Sequence, residues 1–311
     1  TINLALQGGG SHGAYTWGAL EVLLDDPRII IEGISGASAG AMNAVIMAAG
    51  MAKGGTNGAK DELEKFWRGI SNQNALSPLQ RAPMDVMLGN FSMATSPAYM
   101  GYDLLSRVFS PYQSNPLDLN PLRDTIKQMV DFKALRKCTE IKLFVAATNV
   151  RTGRARVFSR NELTPDVLAA SACLPQVFQA VKIGRDHYWD GGYMGNPPLW
   201  PLIYKCDSRD IVLIQISPIT RDKLPQTPIE ITERANEIMF NSSLLHELRA
   251  IRFVTRLLQK NKLDPKVYKQ MLMHRIHSEK VLDRFDTTSK INTEWSFLQV
   301  MRRAGQRAGE S

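Results

Sequence analysis

The chain has 311 residues, 44% of them hydrophobic and 22% charged, a globular composition that excludes a disordered or fibrous protein and leaves room for a large core. Its longest nearly unbroken apolar stretch, Ala44 to Ala52, falls far short of the ~20 residues of a membrane span. The net charge of +8 is uneven: residues 221–311 carry 17 Lys+Arg against 11 Asp+Glu, and residues 1–220 carry the remaining 21 against 19.

Ile2–Leu6 alternates and runs into Gly8-Gly9-Gly10, the pattern of a buried strand ending in a tight turn. No signal-like leader precedes it, and we expect the natural start to have been trimmed. Ala14–Leu24 has Trp17, Leu20 and Leu23 at helical spacing. Arg28–Ile34 reads as a second strand, and Ala41–Ala49 as an apolar helix behind Gly36-Ala37-Ser38-Ala39-Gly40. A strand–helix–strand–helix opening points to a parallel sheet covered by helices.

Gly54–Gly58 reads as a loop and Glu62–Ile70 as a helix. The stretch from Asn72 to Asn120 is less regular, with Pro78, Pro83, Pro97, Pro111 and Pro116 among four methionines. Soft methionines between breakers suit either an adaptable cap over a pocket or ordinary gap-filling. Strands are expected again at Ile141–Thr148, Ala155–Phe158 and Ile211–Ile216, with a helix at Pro165–Ala172 and a turn at Asp190-Gly191-Gly192 after Tyr188-Trp189. Beyond Pro228 the chain turns helical, and Leu244, Leu245, Leu248, Ile251, Val254 and Leu258 mark one face. These signals divide the chain into residues 1–220 and a helical C-terminal region, 221–311, packed on them.

Gly8-Gly9-Gly10-Ser11-His12-Gly13 matches G-x-G-x-x-G between a strand and a helix, and Glu32 falls where a ribose-binding acid is sought. An NAD-binding oxidoreductase is one reading. The same glycines also let backbone N–H groups face a developing oxyanion. Gly36-Ala37-Ser38-Ala39-Gly40 favours the second reading, because its small residues permit the sharp turn that lifts a serine hydroxyl above a sheet. A serine needs a base. His246, His274 and His277 lie in the charged tail, and His187 gives no orientation argument. Asp190 stands before two glycines that allow close backbone approach. Its neighbours Tyr188, Trp189 and Tyr193 would raise its proton affinity by desolvation.

These three motifs, in this order, resemble the patatin-like phospholipases. So does the run Ala170-Ser171-Ala172-Cys173-Leu174-Pro175, followed by Phe178, Asp190-Gly191-Gly192-Tyr193 and Asn196-Pro197-Pro198. The resemblance covers roughly residues 2–217. It implies a three-layer α/β/α sandwich with a mainly parallel central sheet, here with a helical C-terminal appendix. It implies a Ser–Asp dyad without histidine, Ser38 as nucleophile, Asp190 as base, and backbone N–H groups around Gly8, Gly9 and Gly10 as the oxyanion hole. The motif positions are Gly8, Gly10, Gly13, Gly36, Gly40, Gly191 and Gly192. The implied reaction is hydrolysis of phospholipids, lysophospholipids or other long-chain esters through an acyl-serine, with no metal or organic cofactor. The family usually carries Arg or Lys where this chain has His12, which leaves simpler esters open.

A non-catalytic lipid- or partner-binding module on the same fold is the alternative from another class. Cys138, Cys173 and Cys206 show neither metal nor disulfide spacing, so a reducing, cytoplasmic home is expected. The basic C-terminal third suggests peripheral contact with anionic membrane. Nucleic acid is not expected, since no aromatic residues are interleaved with the basic ones in a recognised module. The oligomeric state is not legible.

Overall fold

The computed structural model describes the chain apart from residues 75, 76, 78 and 138, with the backbone alone at Asn74 and Ile229. Pro78 and Cys138, noted above, lie outside the described residues. The first elements are β1 (Ile2–Leu6), α1 (Gly13–Asp25), β2 (Ile31–Gly36) and α2 (Ala39–Asn74). Next come α3 (Pro83–Met87), α4 (Pro97–Val108), α5 (Pro111–Ser114), α6 (Pro121–Met129) and α7 (Phe132–Lys137). Then follow β3 (Lys142–Asn149), β4 (Ala155–Ser159), α8 (Pro165–Ser171), β5 (Val181–Ile183), β6 (Asp186–Asp190), α9 (Trp200–Lys205) and β7 (Asp210–Ile214). The chain closes with α10 (Pro228–Gln259), β8 (Leu272–Ile276), α11 (Glu279–Leu282) and α12 (Trp295–Gly309).

The strands form one sheet in the order β5-β6-β3-β2-β1-β7-β8, with β4 paired to β3 off this path. The run from β3 to β8 is parallel, while β4, β5 and β6 pair antiparallel. Strand alternation sorts the core into two layers. Leu4, Leu6, Val212 and Ile214 face a cluster shared with α1, α2, α8 and α12. Ala5, Ile211 and Leu213 face a second cluster with Leu199 and Leu202 beside α9 and Leu244 and Ile251 of α10. This is the expected three-layer α/β/α sandwich with a mainly parallel sheet.

Several local expectations change. The second strand lies later, at Ile31–Gly36. The expected Gly54–Gly58 loop is a kink: only Gly54 and Gly55 leave helical φ/ψ, and helix resumes at once. In the irregular stretch Pro83, Pro97 and Pro111 sit in the first turn of α3, α4 and α5, where a missing N–H costs nothing. They start helices rather than break them. The C-terminal region is not purely helical. Its β8 pairs parallel with β7 through Asp210↔Leu272 to Ile214↔Ile276. Its α12 crosses α1 so closely that a Cβ on Gly18 would lie 1.9 Å from the Arg302 carbonyl oxygen, and one on Gly305 would lie 1.9 Å from that of Tyr15. Phe297, Leu298 and Met301 join Trp17 and Leu20 in the same core. The chain beyond 220 therefore completes the sandwich.

Candidate active site

Ser38 stands between the end of β2 and the start of α2, with φ at 51°. A non-glycine residue in this left-handed region stores strain, which persists only where the surroundings impose it. Here the Ser38 N–H donates to both the carbonyl oxygen of Ser171 at 3.1 Å and its Oγ at 3.0 Å. Gly36 and Gly40 flank the turn, and α2 begins at Ala39, so the partly positive helix N-terminus lies directly behind the serine.

Asp190 reaches the same place by a route the sequence does not announce. β3 pairs along one edge with β4 from Phe144 to Thr148. Its opposite edge is shared: β2 takes Lys142 to Val145, and β6 takes Ala147 to Asn149. β6 thus occupies the position that β2 vacates when the chain turns away at Gly36. Asp190, paired with Ala147, faces the Ser38 turn.

The Asp190 backbone is fixed from both sides. Its N–H donates to the Cys173 carbonyl at 2.8 Å, and its carbonyl accepts from Thr148 Oγ1 at 2.8 Å. The side chain is 1% exposed. Oδ1 accepts the Gly192 N–H at 2.7 Å, and the Ser38 side chain is a polar neighbour that favours the ionised carboxylate. Burial is the dominant influence and pushes the carboxyl from 3.8 up to about 7, while the Gly192 N–H and the neighbouring Ser38 side chain pull the other way. Gly191 and Gly192 form the short 3-10 turn that follows.

The glycine loop lies against Ser38. A Cβ on Gly8 would sit 2.7 Å from both the Ala37 carbonyl oxygen and Ser38 Cβ, so only glycine allows this approach. The Gly8 N–H is already engaged, donating to Asn196 Oδ1 at 2.7 Å. The N–H groups of Gly9 and Gly10 have no hydrogen-bond partner among the described residues. Gly10 has φ at 58°. Gly13 opens α1 against the first turn of α2, with Ala39 beside it.

His12 is buried, with Nε2 2.8 Å from Ser289 Oγ and Nδ1 unpartnered among the described residues. Desolvation, then Lys290 and Arg221, hold its pKa well below the usual histidine value. His12 is therefore neutral and does not replace a fixed cation on the loop. Lys290 reaches the loop from the C-terminal region. Its Nζ lies 3.4 Å from Ser217 Oγ, and its carbonyl oxygen occupies the space where a Gly10 Cβ would go.

Glu32 does not stand beside the glycine loop. It sits at the start of β2, away from the loop, pairs with Lys142 at 2.8 Å and accepts the N–H groups of Asp207 and Ser208. His274 pairs with Asp210, His277 with the Gln215 carbonyl, and His246 is exposed. Burial raises the thiol of Cys173 to about 12 and that of Cys206 to about 11, so neither is a nucleophile. No group of metal-ligating side chains occurs among the described residues, and no described helix is long and apolar enough to cross a membrane.

The residues that position the dyad are less legible. Ser171 and Asn196 stand in the stretches that carry the resemblance, yet nothing in their spacing announces that they hold Ser38 and Gly8. Two further supports lie on α10. The Phe240 ring packs on Tyr193 with centroids 4.8 Å apart. Asn241 Oδ1 accepts from Gln7 Nε2 at 2.8 Å, while Gln7 Oε1 accepts the N–H groups of Ile216 and Ser217. That network ties the ends of β1 and β7 to α10.

Among solved structures the chain is similar to VipD from Legionella pneumophila, at 16% identity and a TM-score of 0.43, covering 96% of this chain and 67% of that one. It is also similar to ExoU in its heterodimeric complex with SpcU, from the type III secretion system of Pseudomonas aeruginosa. There the identity is 16% and the TM-score 0.35, covering 100% of this chain and 52% of that one. The chain thus spans about two thirds of the first and about half of the second. No curated protein sequence matches it. The family model described as patatin-like phospholipase matches residues 4–203, a span that holds the glycine loop, the Ser38 turn and the Asp190 turn, and the chain belongs to the patatin-like phospholipase family.

Proposed function

We propose that the protein hydrolyses carboxylic esters of phospholipids, lysophospholipids or other long-chain acyl lipids through a Ser38–Asp190 dyad. The observation that carries this reading is the placement of Ser38, on a left-handed turn, beside a buried carboxyl whose pKa is raised to about 7. A base of that strength is matched to proton transfer near neutral pH.

The Asp190 carboxylate takes the hydroxyl proton as Ser38 Oγ bonds to the carbonyl carbon. The carbonyl oxygen becomes an oxyanion, stabilised by the free N–H groups of Gly9 and Gly10 and by the N-terminus of α2. Gly8 forms the wall of this hole rather than a donor, because Asn196 holds its N–H. When the intermediate collapses, the ester C–O bond breaks and the departing alcohol takes the proton from Asp190. Water then attacks the acyl-serine, giving its proton to Asp190. The fatty acid leaves as Ser38 Oγ regains that proton.

The test is hydrolysis of a panel of phospholipids and p-nitrophenyl esters by the wild type and by Ser38→Ala. Turnover on at least one class, falling by several orders of magnitude in the folded variant, supports the dyad. A lipid-binding module without catalysis would bind vesicles and release no fatty acid from either protein.

A further inference from the structure

We infer that the segment from Pro83 to Leu119 is an apolar docking surface that sets the active site against a lipid bilayer; this rests on the proposed lipid substrate. Apart from Phe91, Met93 and Pro111, which face the interior, the segment's large apolar side chains are mostly exposed. Helix α4 buries none of its residues. Its half-buried side chains are Tyr99, Tyr102, Asp103 and Ser106, whereas Met100, Leu104, Leu105 and Val108 form an exposed stripe, with Leu104 at 65% and Val108 at 69%. A helix of a globular domain ordinarily turns such a stripe to the core. The exposure continues on both sides of α4, with Met87 at 74% and Leu117 at 78%. Exposed apolar side chains concentrated in one segment in this way mark an interaction surface.

The segment is hydrogen-bonded to the stretch that leads to Asp190. Tyr112 OH accepts the Ala180 N–H at 3.3 Å, and Gln179 Nε2 donates to the Asn115 carbonyl at 2.8 Å. The Gln179 carbonyl accepts from the Cys173 thiol at 3.1 Å, and the Cys173 carbonyl holds the Asp190 N–H. Two contacts therefore lead from the segment to the base. Across the site, Met194 just beyond Gly192 and Met239 beside Phe240 are also exposed.

Charge selects the occupant. Among residues 83–119 the charged side chains are Asp85, Asp103, Arg107 and Asp118. Asp85 is buried, and Arg107 pairs with Asp103 at 2.9 Å. A surface almost free of unpaired charge is complementary to the uncharged interior of a bilayer, into which such side chains insert. Within the basic C-terminal third, the exposed Arg249, Arg252 and Arg256 lie down α10, whose end is about 27 Å from Asn241. They lead away from the catalytic end.

The test compares the wild type with a Leu104→Ser, Val108→Ser double variant, both positions being exposed. Flotation uses vesicles of phosphatidylcholine alone and vesicles that also contain phosphatidylserine, at low and high salt. The wild type should float with both, independently of salt. The variant should keep its circular dichroism spectrum and its hydrolysis of a short soluble ester, and lose about tenfold or more in vesicle binding and in vesicle-phospholipid hydrolysis. Equal flotation of the two proteins would overturn the inference, as would binding that requires phosphatidylserine and disappears with salt. A wild-type dimer that the variant converts to monomer by light scattering would also overturn it, making a second copy the occupant. If the wild type hydrolyses no ester yet floats and the variant does not, the docking surface stands and the hydrolase reading fails.

Discussion

Asp190 meets Ser38 because β6 pairs with the edge of β3 that β2 leaves after Val145. The two side chains are brought together by strand register, at a point where the carboxyl is desolvated by the core rather than exposed in a loop. That burial raises the Asp190 pKa from 3.8 to about 7. The proposed base would work only when ionised, so kcat/KM for a soluble ester should rise about tenfold per pH unit below 7 and level off above it. An ordinary exposed carboxylate would give a profile flat from about pH 5 upward. A pH–rate series on p-nitrophenyl butyrate distinguishes the two.

Asp190→Asn separates chemistry from stability. Asn keeps an oxygen for the Gly192 N–H but cannot take the serine proton, so turnover should fall about 10²–10⁴-fold. Between pH 3.8 and about 7 the folded wild type holds a proton that the unfolded chain has released. Wild-type stability therefore falls as pH rises through this window, and Asn removes that loss. The Tm of Asp190→Asn should exceed that of the wild type at pH 8, with the gap narrowing toward pH 5. Thermal melts at both pH values check the sign.

The proposed oxyanion loop depends on a glycine and on the side chain that grips it. Gly8→Ala would force a methyl group against Ser38 Cβ and the Ala37 carbonyl, and should cost about 10² or more in kcat. Asn196→Ala frees the Gly8 N–H and loosens the loop without blocking it, so its effect should be smaller, about 10-fold, and fall on kcat rather than KM. Steady-state kinetics on one soluble ester ranks the pair; equal losses would mean that Asn196 does more than hold Gly8.

The C-terminal helix should behave as core. Gly305→Val would push a branched side chain into the Tyr15 backbone, and we expect a loss of about 3 kcal/mol or more. Denaturant titration measures it. A change below about 0.5 kcal/mol would mean that α12 is dispensable to the sandwich.

The parts legible in the sequence are those whose signal is local. Gly8-Gly9-Gly10, Gly36-Ala37-Ser38-Ala39-Gly40 and Asp190-Gly191-Gly192 each encode a turn that a larger residue would spoil. The parts that were not legible depend on partners distant in the chain. β8 reads Leu-Met-His-Arg-Ile and is half-exposed at the sheet edge, so it lacks the apolar run or clean alternation that identifies a strand. Gly305 gives no sign that it meets Tyr15, nor Asn196 that it meets Gly8. Proline misled the reading of the middle segment, since its effect depends on whether it falls in the first turn of a helix or inside it. Glu32 matched the spacing of a ribose ligand, but register placed it at the opposite end of β2 from the loop.

The central claim is that Ser38 is a nucleophile activated by Asp190. Intact-protein and peptide mass spectrometry after reaction with an alkyl fluorophosphonate at pH 8 tests it most directly. The account predicts one adduct, on Ser38, formed by the wild type, lost in Ser38→Ala and strongly slowed in Asp190→Asn. An adduct on another residue, or labelling of Ser38 at the same rate with and without the Asp190 carboxylate, would contradict it.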